Sequence, residues 1–341
     1  LKRILSYDKY LNSFICVNER EVLKRAKFLD HEINDGKYRG LVHGVPISIK
    51  DAFDMLGMPT TVGSKVFLNS FPSKNSTVVK KLLNAGSIIL GKNETTEFCF
   101  GGPSSDSAFL PAKNPWDIDR WTGGSSGGGA AAVSSQLCFG AIGTDTGGSV
   151  RLPAAWCGIV GFMPTPGSIS RAGVFELSNS LDSIGVLTKS ILDATILTNI
   201  ISDKKKLLSF PKIQYGKKIV IAYNLFKHAD DNITFIYDDI YFQLEKNGFY
   251  LKKINEFDLK NYAAVQSIIT VSEAYKKYKK YLNSKMQLGF YTRSRLSLGA
   301  FVTKENYQYA LTAREKCINQ FNKIMEPYDF MILPSAMTLS P

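Results

Sequence analysis

From Gly123 to Ala132 the chain reads GGSSGGGAAA, a run in which no side chain is larger than a hydroxymethyl group. Such a run cannot cover a core with bulk. What it can do is let backbones approach closely, so a small-residue helix opening near Gly127 and running to Leu137 is expected. Helix packing accounts for Gly127 to Ala132 but gives no reason for the two serines before them. A phosphate loop would need Gly-x-x-x-x-Gly-Lys-[Ser/Thr], and no lysine is present. Gly127, Gly129 and Ala132 fit the weak dinucleotide pattern Gly-x-Gly-x-x-Ala. That pattern needs a strand in front of it, and Asn114 to Arg120 does not read as one.

Two further segments carry unusual residues. Gly44-Val45-Pro46-Ile47-Ser48-Ile49-Lys50-Asp51 places a lysine at the end of an apolar run. A lysine so placed is poised to lose water and, with it, its charge. Gly143-Thr144-Asp145-Thr146-Gly147-Gly148-Ser149-Val150-Arg151 places a serine after a glycine pair, where backbone N–H groups can converge on a reacting oxygen. Together these parts suggest acyl transfer by a serine nucleophile with a lysine base. The rival is a Ser-His-Asp triad. The chain has three histidines, His31, His43 and His228, and no Gly-x-Ser-x-Gly elbow. His31 and His228 sit in polar, surface-type surroundings and only His43 lies near a motif, so Lys50 is the better base.

At 341 residues and 44% hydrophobic content the chain can bury a sizeable core in one large domain or two smaller ones. It has no apolar run long enough to cross a membrane, and Leu1 to Leu5 turn polar too quickly for a signal peptide. The five cysteines are scattered without Cys-x-x-Cys spacing. They read as buried thiols of a cytoplasmic protein, with neither a disulfide framework nor a metal site. The net charge of +12 divides into +4 for residues 1–190 and +8 for 191–341. A basic half could track nucleic acid. Arginine is scarce there and no nucleic-acid motif accompanies it, so a solvated lysine-rich surface is the reading adopted.

Asn18 followed by Glu21 resembles a capping box opening a helix to Gly36. Strands are expected over 41–49, 87–90, 139–145, 219–223, 250–254 and 330–333. Helices are expected over 75–84 and 232–246, with two long ones within 259–325. Single apolar strands alternating with helices predict an α/β layer fold. Lys204 to Gly216 is the best candidate for an excursion or subdomain boundary.

Taken together, these residues resemble the amidase signature family. The resemblance runs from Leu11-Asn12-Ser13-Phe14 to Leu333-Pro334. It is densest over Gly123 to Gly167, which includes Arg151-Leu152-Pro153-Ala154-Ala155-Trp156-Cys157-Gly158 and Pro164-Thr165-Pro166-Gly167. It implies a mixed, mostly parallel central sheet with helices on both faces. It implies a Ser–cis-Ser–Lys triad of Ser149 as nucleophile, Ser125 with the cis peptide bond before it, and Lys50 as base. It implies an oxyanion hole from the N–H groups of Thr146, Gly147, Gly148 and Ser149, with Ser126 and Asp145 in support. Arg151 is expected either to hold the loop through a buried ion pair or to bind a substrate carboxylate. Arg314 is a substrate-binding candidate by family position. No cofactor is implied.

Within the family two readings compete. Ser104 to Phe109 leans toward the glutaminase component of the tRNA-dependent amidotransferase, its A subunit, which takes ammonia from glutamine for a partner. Gly173 to Asp182 is more similar to stand-alone amidases, and Glu273-Ala274 continues as Tyr275-Lys276-Lys277-Tyr278 in place of the amidotransferase's Ser-Asn-Leu signature. The expectation is therefore a stand-alone hydrolase cleaving a small-molecule amide to acid and ammonia or amine. Neither a membrane nor a nucleic-acid partner is expected, and a homodimer is allowed for. Residues 1–341 are expected to form a single amidase domain, shorter than family chains at both ends, with 204–300 as a variable excursion. Phe330 to Leu333 is expected to be a buried strand.

Overall fold

The computed structural model describes residues 1–204, 208–209, 216–282 and 288–341. The chain opens with α1 (Lys2–Leu11), β1 (Phe14–Val17) and α2 (Glu19–Asn34), followed by β2 (Pro46–Lys50), α3 (Thr77–Asn84) and β3 (Ile88–Asn93). A short hairpin, β4 (Lys113–Asn114) and β5 (Asp117–Trp121), precedes α4 (Gly127–Ser134), β6 (Gly140–Asp145) and α5 (Arg151–Trp156). Then come β7 (Val160–Phe162), β8 (Ser183–Thr188) and α6 (Ile191–Ile201).

These strands form a six-stranded sheet in the order β1-β3-β2-β6-β8-β7. It is mixed. The central strands β3, β2 and β6 run parallel, and the flanking pairs β1–β3, β6–β8 and β8–β7 are antiparallel. Side chains alternate between its faces. Ile47, Ile49, Ile89, Ile142, Ile184 and Val186 join α3 and α6 in one core cluster. Ile88, Leu90, Ala141 and Leu187 join α1, α2, α4 and α5 in the other. Helices therefore cover both faces.

The rest of the chain adds β9 (Lys218–Ala222), α7 (Tyr223–Lys227), α8 (Asp231–Lys246), β10 (Tyr250–Ile254), α9 (Leu259–Tyr278), α10 (Phe290–Leu298), α11 (Lys304–Met325) and β11 (Phe330–Ile332). A second, parallel sheet has the order β10-β9-β11. Helix α9 joins the two units: Val271 and Ala274 lie in the main core, while Tyr262 packs with Ala222, Leu225 and Phe257 beside the small sheet. Most of the expected boundary at Lys204 to Gly216 lies outside the described residues.

Several local expectations change. The strand expected over 41–49 begins at Pro46. Residues before it form a turn, with His43 N donating to Gly40 O, Val45 N to Val42 O, and Gly44 at φ +78°. The small-residue helix stops at Ser134, not Leu137. Gln136 adopts φ +61°, and Gln136 N and Leu137 N donate back to Val133 O and Ala132 O, the bonding of a Schellman end. Asp117 to Trp121 is a strand after all, but in an exposed two-stranded hairpin outside the main sheet. Phe330 and Leu333 are exposed, because β11 has a single neighbour in its sheet. Cys99, Cys138 and Cys157 are buried, whereas Cys16 and Cys317 are half-buried. Among the described residues no helix is long and apolar enough to cross a membrane.

Candidate active site

Lys50 and Asp145 are the last residues of neighbouring parallel strands, β2 and β6, so both emerge at one edge of the sheet. Crevices at the carboxyl ends of parallel strands are where α/β sheets form sites. Lys50 is 1% exposed. Its Nζ donates to Ser125 Oγ at 2.6 Å and to Thr144 Oγ1 at 2.7 Å. Burial pushes its pKa down from the usual lysine value, against opposing pulls from Cys99, Asp145 and Asp182.

Ser125 follows a cis peptide bond from Gly124. Ser126 stands at the N-cap position of α4 without a side-chain capping bond, and donates its N–H to Ser149 O at 3.1 Å and its hydroxyl to Thr144 O at 3.2 Å. Those two bonds fasten the Ser125–Ser126 turn to both ends of the 144–149 loop, so Lys50, Ser125, Ser126 and Ser149 come together. Asp145 organises that loop from inside. It accepts Gly148 N at 2.7 Å and Val150 N at 3.1 Å, and pairs with Arg151 through Nε at 3.0 Å and Nη2 at 2.9 Å. Burial alone would raise the Asp145 pKa, but the Arg151 bonds and charge and the two N–H groups bring it below the usual value.

These bonds sharpen two expectations. Arg151 holds the loop through an ion pair with Asp145, although its own side chain is 49% exposed. Gly148 is corrected as an oxyanion donor, because its N–H is already given to Asp145. The loop donors outside the Asp145 set are those of Thr146, Gly147 and Ser149. Thr146 is tied in turn by its hydroxyl to Asp182 Oδ1 at 2.6 Å, and Asp182 accepts Leu177 N and Ser178 N through Oδ2.

Other residues that the sequence did not single out surround this centre. Glu94 is buried, near Lys50, with the N–H groups of Ala112 and Gly128 directed at its carboxyl; burial pushes its pKa up to about 8. Gln266 of α9 lies against Gly147, where a Cβ would meet Nε2 at 2.7 Å. Gln266 and Arg314 line the same cavity of about 290 Å³, whose walls are largely apolar. Gln266 thus links the cavity that Arg314 also lines to the 146–149 loop. Thr144 lies inside the glycine-rich Gly143–Ser149 segment and could have been flagged by that adjacency, whereas Asp182 sits in a Ser/Asn-rich stretch without glycine. Glu94 and Gln266 have no local signal. His43 accepts Arg39 N at Nδ1 and pairs with Leu29 O through Nε2, and both His31 and His228 are exposed. No histidine joins the lysine-serine centre.

Comparison with known proteins gives a consistent picture. The family model described as Amidase matches residues 1–341. The chain is 42% identical to the A subunit of the glutamyl-tRNA(Gln) amidotransferase from Prochlorococcus marinus, over 67% of this chain and 50% of that protein. It is 32% identical to the Thermotoga maritima protein of the same name, over 98% of this chain and 76% of the relative. A crystal structure of an amidase superposes with a TM-score of 0.91 at 28% identity, covering 100% of this chain and 77% of that one. The matched part is thus about half the length of the first of these relatives and about three quarters of the others.

Proposed function

The chain belongs to the amidase family, and from that premise we propose that it hydrolyses a carboxylic amide through an acyl-enzyme on Ser149. The observation that carries this reading is the buried lysine with its 2.6 Å contact to Ser125. Neutral Lys50 accepts the Ser125 hydroxyl proton as Ser125 takes the proton of Ser149 Oγ. Ser149 Oγ attacks the amide carbonyl carbon. The N–H groups of Thr146, Gly147 and Ser149 receive the oxyanion, each such donor being worth ~3 kcal/mol. The relayed proton returns to the leaving nitrogen, ammonia or amine departs, and water attacks the acyl ester by the same route in reverse. Ser126 and Asp145 hold the two serine-bearing turns together. The centre uses no metal or cofactor group in any of these steps.

For the whole protein we favour the stand-alone hydrolase, on the departure after Glu273-Ala274. A second reading, glutamine as substrate and a partner as ammonia acceptor, is supported by the names of the relatives. Arg314 supports it too, since a guanidinium lining a cavity beside the loop suits a substrate carboxylate. The test is ammonia release from simple aliphatic and aromatic amides and from glutamine, with and without tRNA and the other amidotransferase components. Release from simple amides by the protein alone supports the hydrolase. Release only from glutamine, and only with the added components, supports the second reading. No release from any amide under either condition sinks both.

A further inference from the structure

Two carboxylates hold residues 177–182, one from inside the site and one from α9. Asp182 is the inner one: it accepts Thr146 Oγ1 at 2.6 Å, Leu177 N at 2.8 Å and Ser178 N at 3.1 Å. Glu273 of α9 is the outer one. Its Oε2 accepts Ser178 Oγ at 2.6 Å and Ser180 N at 3.0 Å, and its Oε1 accepts the Tyr307 hydroxyl at 2.8 Å and the Ser180 hydroxyl. An ionised carboxylate offers about four lone-pair sites and no donor, so this set of donors fills it. Burial alone would raise the Glu273 pKa, but the serine, tyrosine and backbone donors bring it below the usual value, which keeps the group charged at neutral pH.

The rest of α9 supports the same segment. Gln266, Thr270, Glu273 and Lys277 recur at steps of four, three and four, and so share one face of the helix. Gln266 lies against Gly147 and donates Nε2 to Thr270 Oγ1 at 2.9 Å. Lys277 Nζ pairs with Glu176 Oε1 at 2.9 Å. Tyr278 donates its hydroxyl to Glu176 O and stacks on Phe175, with ring centroids 5.0 Å apart. Lys277 and Tyr278 belong to the stretch after Glu273-Ala274 that departs from the amidotransferase signature. A cavity of about 750 Å³ borders Leu177 and Asn179 and is also lined by Glu273 and Tyr307. Close packing therefore does not hold the segment on that side, and the bonds to Glu273 do.

We propose that Glu273 is a positioning residue for the serine centre: by fixing Ser178 and Ser180 it holds Asp182 against Thr146, and so sets the Thr146 end of the 146–149 loop. Each link of the route is a hydrogen bond, Glu273 to Ser178 and Ser180, Asp182 to Ser178 N, and Thr146 Oγ1 to Asp182. The proposal rests on the reading of Ser149 as nucleophile and of Thr146 N–H as an oxyanion donor. A donor displaced by a fraction of an ångström lowers the rate of the chemical step, because its bond is strongest to the charge that develops there.

The experiment is steady-state kinetics of the full chain on one amide that it turns over, with Glu273→Ala, Glu273→Gln, Thr146→Val and the double variant Glu273→Ala/Thr146→Val. Glu273→Ala should lower kcat and kcat/KM together by ~10–100-fold, the mark of an interaction felt in the transition state. Glu273→Gln should recover most of that loss. Its carbonyl oxygen can accept Ser178 Oγ and Ser180 N, while its amide N–H groups donate to the Ser180 and Tyr307 hydroxyls, which can turn. In the double variant Glu273→Ala should add less than about twofold to the loss caused by Thr146→Val, since both cut one route. Losses that multiply in the double variant assign Glu273 a general structural role and overturn the proposal. A parent-like kcat in Glu273→Ala, or a rise in KM alone, overturns it too. If Glu273→Ala does not fold, Ser178→Ala takes its place in the cycle with the same expected result. The acyl adduct separates the two levels: turnover without an adduct on Ser149 sinks the nucleophile reading, whereas a Ser149 adduct with multiplying losses sinks only the role of Glu273.

Discussion

At the residue scale the site is a set of buried polar groups whose protonation is set by their surroundings. Glu94 is the most testable of them. Burial holds its folded-state pKa at about 8, above the ordinary 4.5. Between those values the folded chain keeps a proton that the unfolded chain releases. Stability is therefore fully present below the ordinary carboxyl pKa and falls as pH rises toward the folded value, by ~1.4 kcal/mol for each pH unit crossed. Glu94→Gln keeps an acceptor for Ala112 N and Gly128 N and removes the titration. Chemical unfolding as a function of pH should show the variant matching the parent near pH ~4 and exceeding it at pH ~8. Parallel stability curves for the two proteins would show that Glu94 does not titrate as described. None of this was visible in the order of residues, since Glu94 has no motif around it. Lys50 and Ser149 were legible because each sits in a short run whose composition, apolar before the lysine and glycine before the serine, already describes its setting.

At the element scale, α4 shows what a small-residue helix does. It lies so close to the sheet edge that a Cβ on Gly128 would stand 2.5 Å from Glu94 N and Ser13 O, both backbone atoms that cannot turn aside. On Gly129 a Cβ would meet Leu187 Cδ1 at 3.1 Å and Ala141 Cβ at 3.2 Å, contacts that need only a few tenths of an ångström of yielding. Gly128→Ala should therefore cost ~2–3 kcal/mol or more. Gly129→Ala should cost clearly less, because alanine recovers ~1 kcal/mol of helix propensity. Denaturant titration of both variants decides it, and equal losses would mean that the close approach is not what fixes glycine at 128. The reading of this run as a packing device needed only its composition. Where the helix ends was not legible, because Gln136 takes a left-handed conformation that no glycine announced. For the same reason the turn at Phe98–Cys99, at φ +56° and +54°, went unseen.

At the scale of the whole molecule, the alternation of apolar strands and helices led to the α/β class, and the pairings explain which parts of it stayed hidden. Strands β2, β3 and β6, central and buried, stand out as apolar runs. Strands β7 and β8 do not: β7 is three residues long, and the apolar run of β8, Ser-Ile-Gly-Val-Leu-Thr, is short and interrupted by Gly185. Yet β8 runs antiparallel beside β6 and brings Asp182 to Thr146, so an element missed in the sequence helps to shape the 146–149 loop. Helix α9 likewise reaches from the small sheet to Gly147 through Gln266. The centre is thus assembled from elements more than 200 residues apart in the chain, counting from Lys50 to Gln266. The most direct measurement of its chemistry is mass spectrometry of the full chain, acid-quenched while it turns over an amide. The expected result is an acyl adduct mapped to the peptide containing Ser149, absent from Ser149→Ala and formed at least ~100-fold more slowly in Lys50→Ala, as loss of a general base requires. An adduct on any other residue, or one that forms at the parent's rate without Lys50, would contradict the assignment.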